Sequence, residues 1–190
     1  MYPFWQYYPR WQSAPVWVSE MVGVFADCRT AIDTGIVRGA NGEGVDPGSE
    51  AGSNRVLRLV TPGLRDIGFQ VEWGKVAVRK LPRPVFFGEN GTIEHQYEID
   101  AYNSSTGVSL EVEAGRAWQS NAIYRDIVQI SLMIDVRFGA VAVPLIYRYR
   151  SSSGRLLETR PYEKCQGLLD TIYGGRRLEL PLEGFLLLGY

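Results

Sequence analysis

The sequence predicts an α/β fold, a mixed β-sheet with flanking helices in a single domain. Three observations carry this. "GAVAVPLIYRY" (Gly139 to Tyr149) is almost wholly apolar, the pattern of a strand buried on both faces. "VSLEVEA" (Val108 to Ala114) alternates apolar and polar, the pattern of a strand with one face on the core. Between them, "SNAIYRDIVQISLMID" (Ser120 to Asp135) repeats Ile123, Ile127, Ile130 and Ile134 at helical spacing. Strand, helix and strand in that order form a right-handed crossover with parallel strands.

The other elements follow in chain order. Ala14 to Ile36 reads as a helix, with Ser13 as cap and Val18, Met21, Val22, Phe25 and Ile32 near one face. Gly39 to Gly52 reads as a mobile loop. It carries no Lys-Ser or Lys-Thr of the kind that completes a phosphate cradle. Glu50 to Gly68 suggests a shorter helix interrupted at Pro62. "FQVEW" (Phe69 to Trp73) and "RPVFFG" (Arg83 to Gly88) read as short strands, and "ENG" after the second as a turn. "IEHQYEIDAY" (Ile93 to Tyr102) and Val108 to Ala114 flank the turn-forming "NSSTG", which predicts a β-hairpin. Ser120 or Asn121 caps the helix that follows, and Val128 and Leu132 widen its apolar stripe, so it is expected to be largely buried. Pro144 cannot donate a ladder hydrogen bond, so it marks a strand end or an edge. Pro161 to Tyr173 is a last helix with proline in its first turn.

Bulk properties exclude several classes. The 190 residues suit one domain, 1–190, with a full-sized core. Hydrophobic residues at 45% and charged residues at 22% describe a globular chain rather than a disordered one. A net charge of −1 gives a nucleic-acid partner no support by itself, though a local basic face remains compatible with it. Cys28 and Cys165 stand far apart and form no zinc or disulfide pattern, which makes a reducing cytoplasm the expected location. His95 is the only histidine, so His-rich metal sites are excluded. The aromatic, polar start lacks the aliphatic run of a signal or anchor, and "AVAVPLI" is too short to span a bilayer, so no membrane partner is expected.

The densest chemical signal is acidic. Glu98, Asp100, Glu111 and Glu113 lie close together, with no Lys or Arg until Arg116. Alternation puts Val108, Leu110 and Val112 on one face and Ser109, Glu111 and Glu113 on the other. A hairpin closing symmetrically around Ser105 and Thr106 sets Asp100 opposite Glu111 and Glu98 opposite Glu113. Like charges directly opposed destabilise a strand pair by up to about 1 kcal/mol. Either cationic side chains arrive from elsewhere, or a cation supplies the charge. Mg²⁺ suits carboxylates, waters and phosphate oxygens.

Asp100, a hairpin turn, Glu111-Val112-Glu113, a helix and an apolar strand together resemble the catalytic core of the PD-(D/E)xK nucleases. They are most similar to type II restriction endonucleases, over about Tyr97 to Tyr149 within a core spanning Ile93 to Tyr149. Asp100 matches the first acid of the motif and Glu111 the second. Its usual Lys falls on Glu113, as in the branch that carries Glu or Gln there, and Ile99 replaces the Pro before the first acid. The resemblance implies a restriction-endonuclease-like core and a homodimer that cuts both strands of double-stranded DNA with Mg²⁺, for which Mn²⁺ substitutes. It implies that Asp100, Glu111 and the Val112 carbonyl hold the metal. Glu113 orients or deprotonates the attacking water, or helps to hold a second ion.

Glu98 and Glu20, the latter on the first helix, are further acids that such a site could recruit. His95 is out of phase with the acidic face. Arg125 and Asp126 are adjacent on a helix, so their side chains are expected to diverge. Arg148, Arg150, Arg155 and Arg160 follow the apolar strand and suit phosphate contacts, and "VRKLPRP" (Val78 to Pro84) is a weaker basic stretch. The competing reading is non-catalytic: a nuclease fold kept as a DNA-binding or protein-interaction module, its acids a solvated relic. Substrates other than duplex DNA, namely RNA or branched DNA, fit the same acids.

Overall fold

The computed structural model describes residues 3–32, 52–73, 80–113, 121–150, 155–175 and 177–190. The strands are β1 (Phe4–Tyr8), β2 (Gln70–Val71), β3 (Leu81–Phe87), β4 (Ile93–Ile99), β5 (Ala101–Asn103), β6 (Val108–Val112), β7 (Phe138–Val143), β8 (Tyr147–Arg150), β9 (Leu156–Thr159) and β10 (Gly184–Gly189). The helices are α1 (Val16–Asp27), α2 (Ser53–Asp66), α3 (Ala122–Leu132) and α4 (Pro161–Gly175).

Six strands form a mixed sheet in the order β1-β10-β7-β6-β5-β2. β6, β7 and β10 run parallel, and the pairs at the margins, β1 with β10, β5 with β6 and β2 with β5, are antiparallel. The expected crossover is present: β6 and β7 are parallel neighbours joined through α3. Pro144 directly follows β7 and ends it. The expected α/β architecture with a mixed sheet and flanking helices is therefore what the chain adopts.

Alternation sorts the core into two layers. Val108, Leu110 and Val112 join Ala140, Ala142, Leu186 and Leu188 against α1 and α2. Tyr102, Val141, Val143, Phe185 and Leu187 face α3 and α4. Gly139 lies where β7 passes Phe185 of β10; a Cβ there would come within 2.6 Å of that ring and 3.0 Å of Ile130. Gly139→Ala is expected to destabilise the fold by about 1–3 kcal/mol, because a packed interior yields little to an added methyl. Chemical denaturation at unchanged m-value checks this.

Several expectations are corrected. The alternating run from Ile93 is not one strand. It breaks at Asp100, so β4 pairs with β3 in a separate two-stranded sheet and only β5 pairs with β6. Glu98 accordingly lies across from Pro82 of β3, not Glu113. α1 starts at Val16 behind Pro15, with no side-chain cap, so Ser13 plays no such role. α2 runs through Pro62 without interruption; its buried face of Val56, Leu57, Val60 and Leu64 offsets the cost of about 3 kcal/mol that an internal proline carries. The strand from Phe69 shrinks to Gln70–Val71. α3 buries Ile123, Ile127 and Ile130, but Val128, Leu132 and Ile134 are exposed, so the helix covers the sheet along a narrower stripe than expected. Asn121 stands at its N-cap with positive φ and no side-chain cap bond. Ser120, Ala114, residues 33–36 and Gly39 to Ala51 of the expected loop lie outside the described residues. Neither β1 nor β10 was anticipated.

Candidate active site

The break at Asp100 makes the site. The register Ala101 with Leu110 and Tyr102 with Ser109, carried one step further, sets Asp100 across from Glu111 as the symmetric hairpin requires. Asp100 is locked there from both sides. Its Oδ2 accepts a hydrogen bond of 2.8 Å from the Val112 N–H, and its carbonyl accepts one of 2.9 Å from the Glu72 N–H. Glu111 points off the α1–α2 core, toward α3. Glu113 follows β6 and is pinned through its backbone. Its N–H donates to the Ala142 carbonyl at 2.9 Å, and its carbonyl accepts from the Tyr190 hydroxyl at 2.7 Å.

A fourth acid comes from α3. Asp126 is 1% exposed, and Arg125 does not diverge from it. The long guanidinium folds back so that Nε and Nη2 donate to Asp126 Oδ1 at 3.1 and 2.9 Å, while Nη2 also reaches Glu113 Oε1 at 3.3 Å. Asp126 Oδ2 is buried and has no hydrogen-bond partner.

A second cation enters from β3. Lys80 Nζ donates to Glu72 Oε2 at 2.7 Å and lies 3.7 Å from Glu98 Oε2. An open groove of about 580 Å³ is lined by Glu72, Lys80, Glu98, Asp100, Glu111, Arg125 and Asp126. Glu113 is not part of this lining; it sits beside it, on Arg125.

Burial and crowding raise the proton affinity of these carboxyls. Burial pushes the Asp100 carboxyl up to about 7; the Val112 N–H pulls it down, and the Glu72 charge pushes it up again. Burial raises Glu111 well above the ordinary carboxylate range, followed by the charges of Asp100, Asp126 and Glu113. Burial and then Asp126 push Glu113 up to about 8. Burial likewise raises Asp126, against the pull of Arg125. These are hard oxygen donors crowded together, with the Glu113 carboxyl within hydrogen-bond reach of Asp126, and that donor chemistry fits a divalent cation such as Mg²⁺. They are not assembled into a ready shell: among the described residues, no three His, Cys, Asp or Glu stand close enough to hold an ion as placed.

The remaining candidates divide. Glu98 borders the groove but is exposed and near Lys80. Glu20 is exposed on α1, which packs on the opposite face of the sheet from α3, so it is not brought to the site. Arg148 pairs with Glu158 at 2.9 Å across the β8–β9 hairpin, and Arg160 pairs with Glu163 at 2.9 Å. Arg150 lies on β8, and Arg155 is exposed just before β9. His95 stacks on Phe86, away from the acids. In the basic stretch, Arg83 pairs with Asp135 and lies over the Tyr102 ring. Glu72, Lys80 and Asp126 are the groove residues the sequence did not reveal. The only signal for Lys80 was its place in "VRKLPRP".

No family model matches the chain, and no curated protein matches it. Among solved structures it is similar to the crystal structure of restriction endonuclease BglII complexed with a DNA 16-mer. That likeness has 12% identity and a TM-score of 0.46, and covers 100% of this chain and 78% of that one.

Proposed function

We propose that this chain is a Mg²⁺-dependent endodeoxyribonuclease of the type II restriction kind, hydrolysing phosphodiester bonds of double-stranded DNA. The observation that carries the reading is the meeting of Asp100 and Glu111 across one hairpin, in an open groove where their charges repel. Asp100, Glu111 and the Val112 carbonyl would hold the ion. When bound, Mg²⁺ lowers the pKa of a coordinated water and offsets charge developing on the phosphate. The chain's own residues do the rest. The Val112 N–H fixes the Asp100 carboxylate against rotation. Glu113, beside the groove on Arg125, would take a proton from, or orient, the attacking water once an ion relieves its crowding. The same reading takes the 190 residues as one restriction-endonuclease-like domain that acts as a homodimer in the cytoplasm, with Mn²⁺ able to replace Mg²⁺. No described helix is long and apolar enough to cross a membrane.

The test is incubation of supercoiled plasmid with the protein and Mg²⁺ or Mn²⁺, followed by sizing of the products. Discrete fragments support a site-specific nuclease. Intact DNA with both metals favours the second reading, a nuclease fold kept for DNA or protein binding. Its supporting observations are the acid at Glu113 and the engagement of that acid by Arg125.

A further inference from the structure

A phosphodiester entering this groove meets four or more acids, so it needs a fixed positive charge from the chain itself as well as from any ion. Among the described residues, two cations reach the groove. Arg125 spends its Nε and Nη2 on Asp126 and Glu113. Lys80 is the more enclosed of the two, its side chain 24% exposed against 61% for Arg125; one of its three donors is engaged at Glu72, and Glu98 Oε2 lies 3.7 Å away.

Its placement is built into the backbone. Leu81 pairs with Ile99, and one more step of that ladder sets Lys80 beside Asp100. Glu72 is tied to the same point, because its N–H bonds the Asp100 carbonyl. Both side chains are largely covered, 24% exposed for Lys80 and 10% for Glu72. A flexible lysine stem is thus confined at the junction of the two sheets, next to the first acid.

We propose that Lys80 is a further catalytic residue of this groove, its ammonium donating a hydrogen bond to a non-bridging oxygen of the scissile phosphodiester, with Glu72 as the carboxylate that positions it. This rests on the nuclease reading. Lys80 keeps its proton throughout and receives no atom. The Glu72 hydrogen bond holds it above the ordinary lysine value, so it acts as a charged donor and not as a base. Fixed donors aimed at developing oxyanion charge are worth about 10²–10³ in rate.

The experiment is single-turnover plasmid cleavage in Mg²⁺ at saturating enzyme, with gel-shift affinity in Ca²⁺ and melting temperature alongside. Lys80→Gln is expected to slow cleavage about 10²-fold while affinity stays within about threefold. Lys80→Arg, which keeps the charge, is expected to recover most of that rate. Glu72→Gln is expected to lose rate by a smaller factor. A wild-type rate in Lys80→Gln overturns the proposal and leaves the nuclease reading standing. Should Lys80→Gln fail to fold, Glu72→Gln decides: lost rate at unchanged melting temperature supports the proposal, and full rate at lowered melting temperature overturns it, leaving only a structural ion pair. A wild type that cuts no DNA removes both readings.

Discussion

Glu111→Ala is expected to reduce Mg²⁺-dependent cleavage by about 10³-fold or more while leaving DNA binding in Ca²⁺ within about threefold. Glu111 lines the groove opposite Asp100, and its truncation removes one of the two carboxylates proposed to hold the ion. On the nuclease reading, affinity for DNA would come from phosphate contacts elsewhere, which do not need this carboxylate. Glu113→Ala is expected to follow the same pattern. There the structure adds a second consequence, because Arg125 loses one of its two acceptors among the described residues and keeps Asp126. The measurement is a pair of cleavage and gel-shift titrations for each variant. Full cleavage by Glu113→Ala would take this residue out of the mechanism and leave it the task of holding Arg125.

The apo protein is expected to lose stability as pH rises from about 5 to about 8, and divalent ions to return it. Asp100 and Glu113 bind their protons more tightly in the folded chain, at about 7 and about 8, than free carboxyls do. Their contribution to stability is therefore fully present below the ordinary carboxylate range. It declines as the unfolded chain gives up its protons first, and is gone once pH passes the folded values. For a chain of this size the melting temperature should fall by about 5 °C or more across that window. Ca²⁺ or Mn²⁺ should restore more at about pH 8 than at about pH 5, since at the lower pH the proton already relieves the repulsion. Asp100→Asn should weaken the pH dependence, with that of Glu113 remaining, and abolish the metal response. A wild-type melting curve indifferent to both pH and metal would favour the solvated-relic reading.

What the sequence disclosed follows from how local each signal is. The β6–α3–β7 unit was legible because its alternation, its isoleucine spacing and its apolar run each declare one period within one segment. Asp100 and Glu111 were legible as a pair because a tight turn fixes register. The break at Asp100 was not, since "IEHQYEIDAY" alternates straight through it. β10 was hidden for a different reason: "FLLL" between glycines carries no period that separates strand from helix. Asp126 was misjudged because neighbours on a helix diverge at Cβ, a rule that a long arginine escapes by folding back. Lys80 and Glu72 meet Asp100 only through the junction of two sheets, and nothing in a linear reading marks that junction.

The position of β10 also shapes how the molecule forms. Its partner β1 comes from the opposite end of the described chain, as the pairing of Phe4 with Gly189 shows, so this closure carries the largest loop entropy in the sheet. Asp100 and Glu111 are joined by one short turn and meet early at little entropic cost. On that order the acids are expected to come into mutual repulsion before the distant strands brace them. A divalent ion present during folding would act on the nascent hairpin, and its influence should be visible in the folding rate as well as in the final stability.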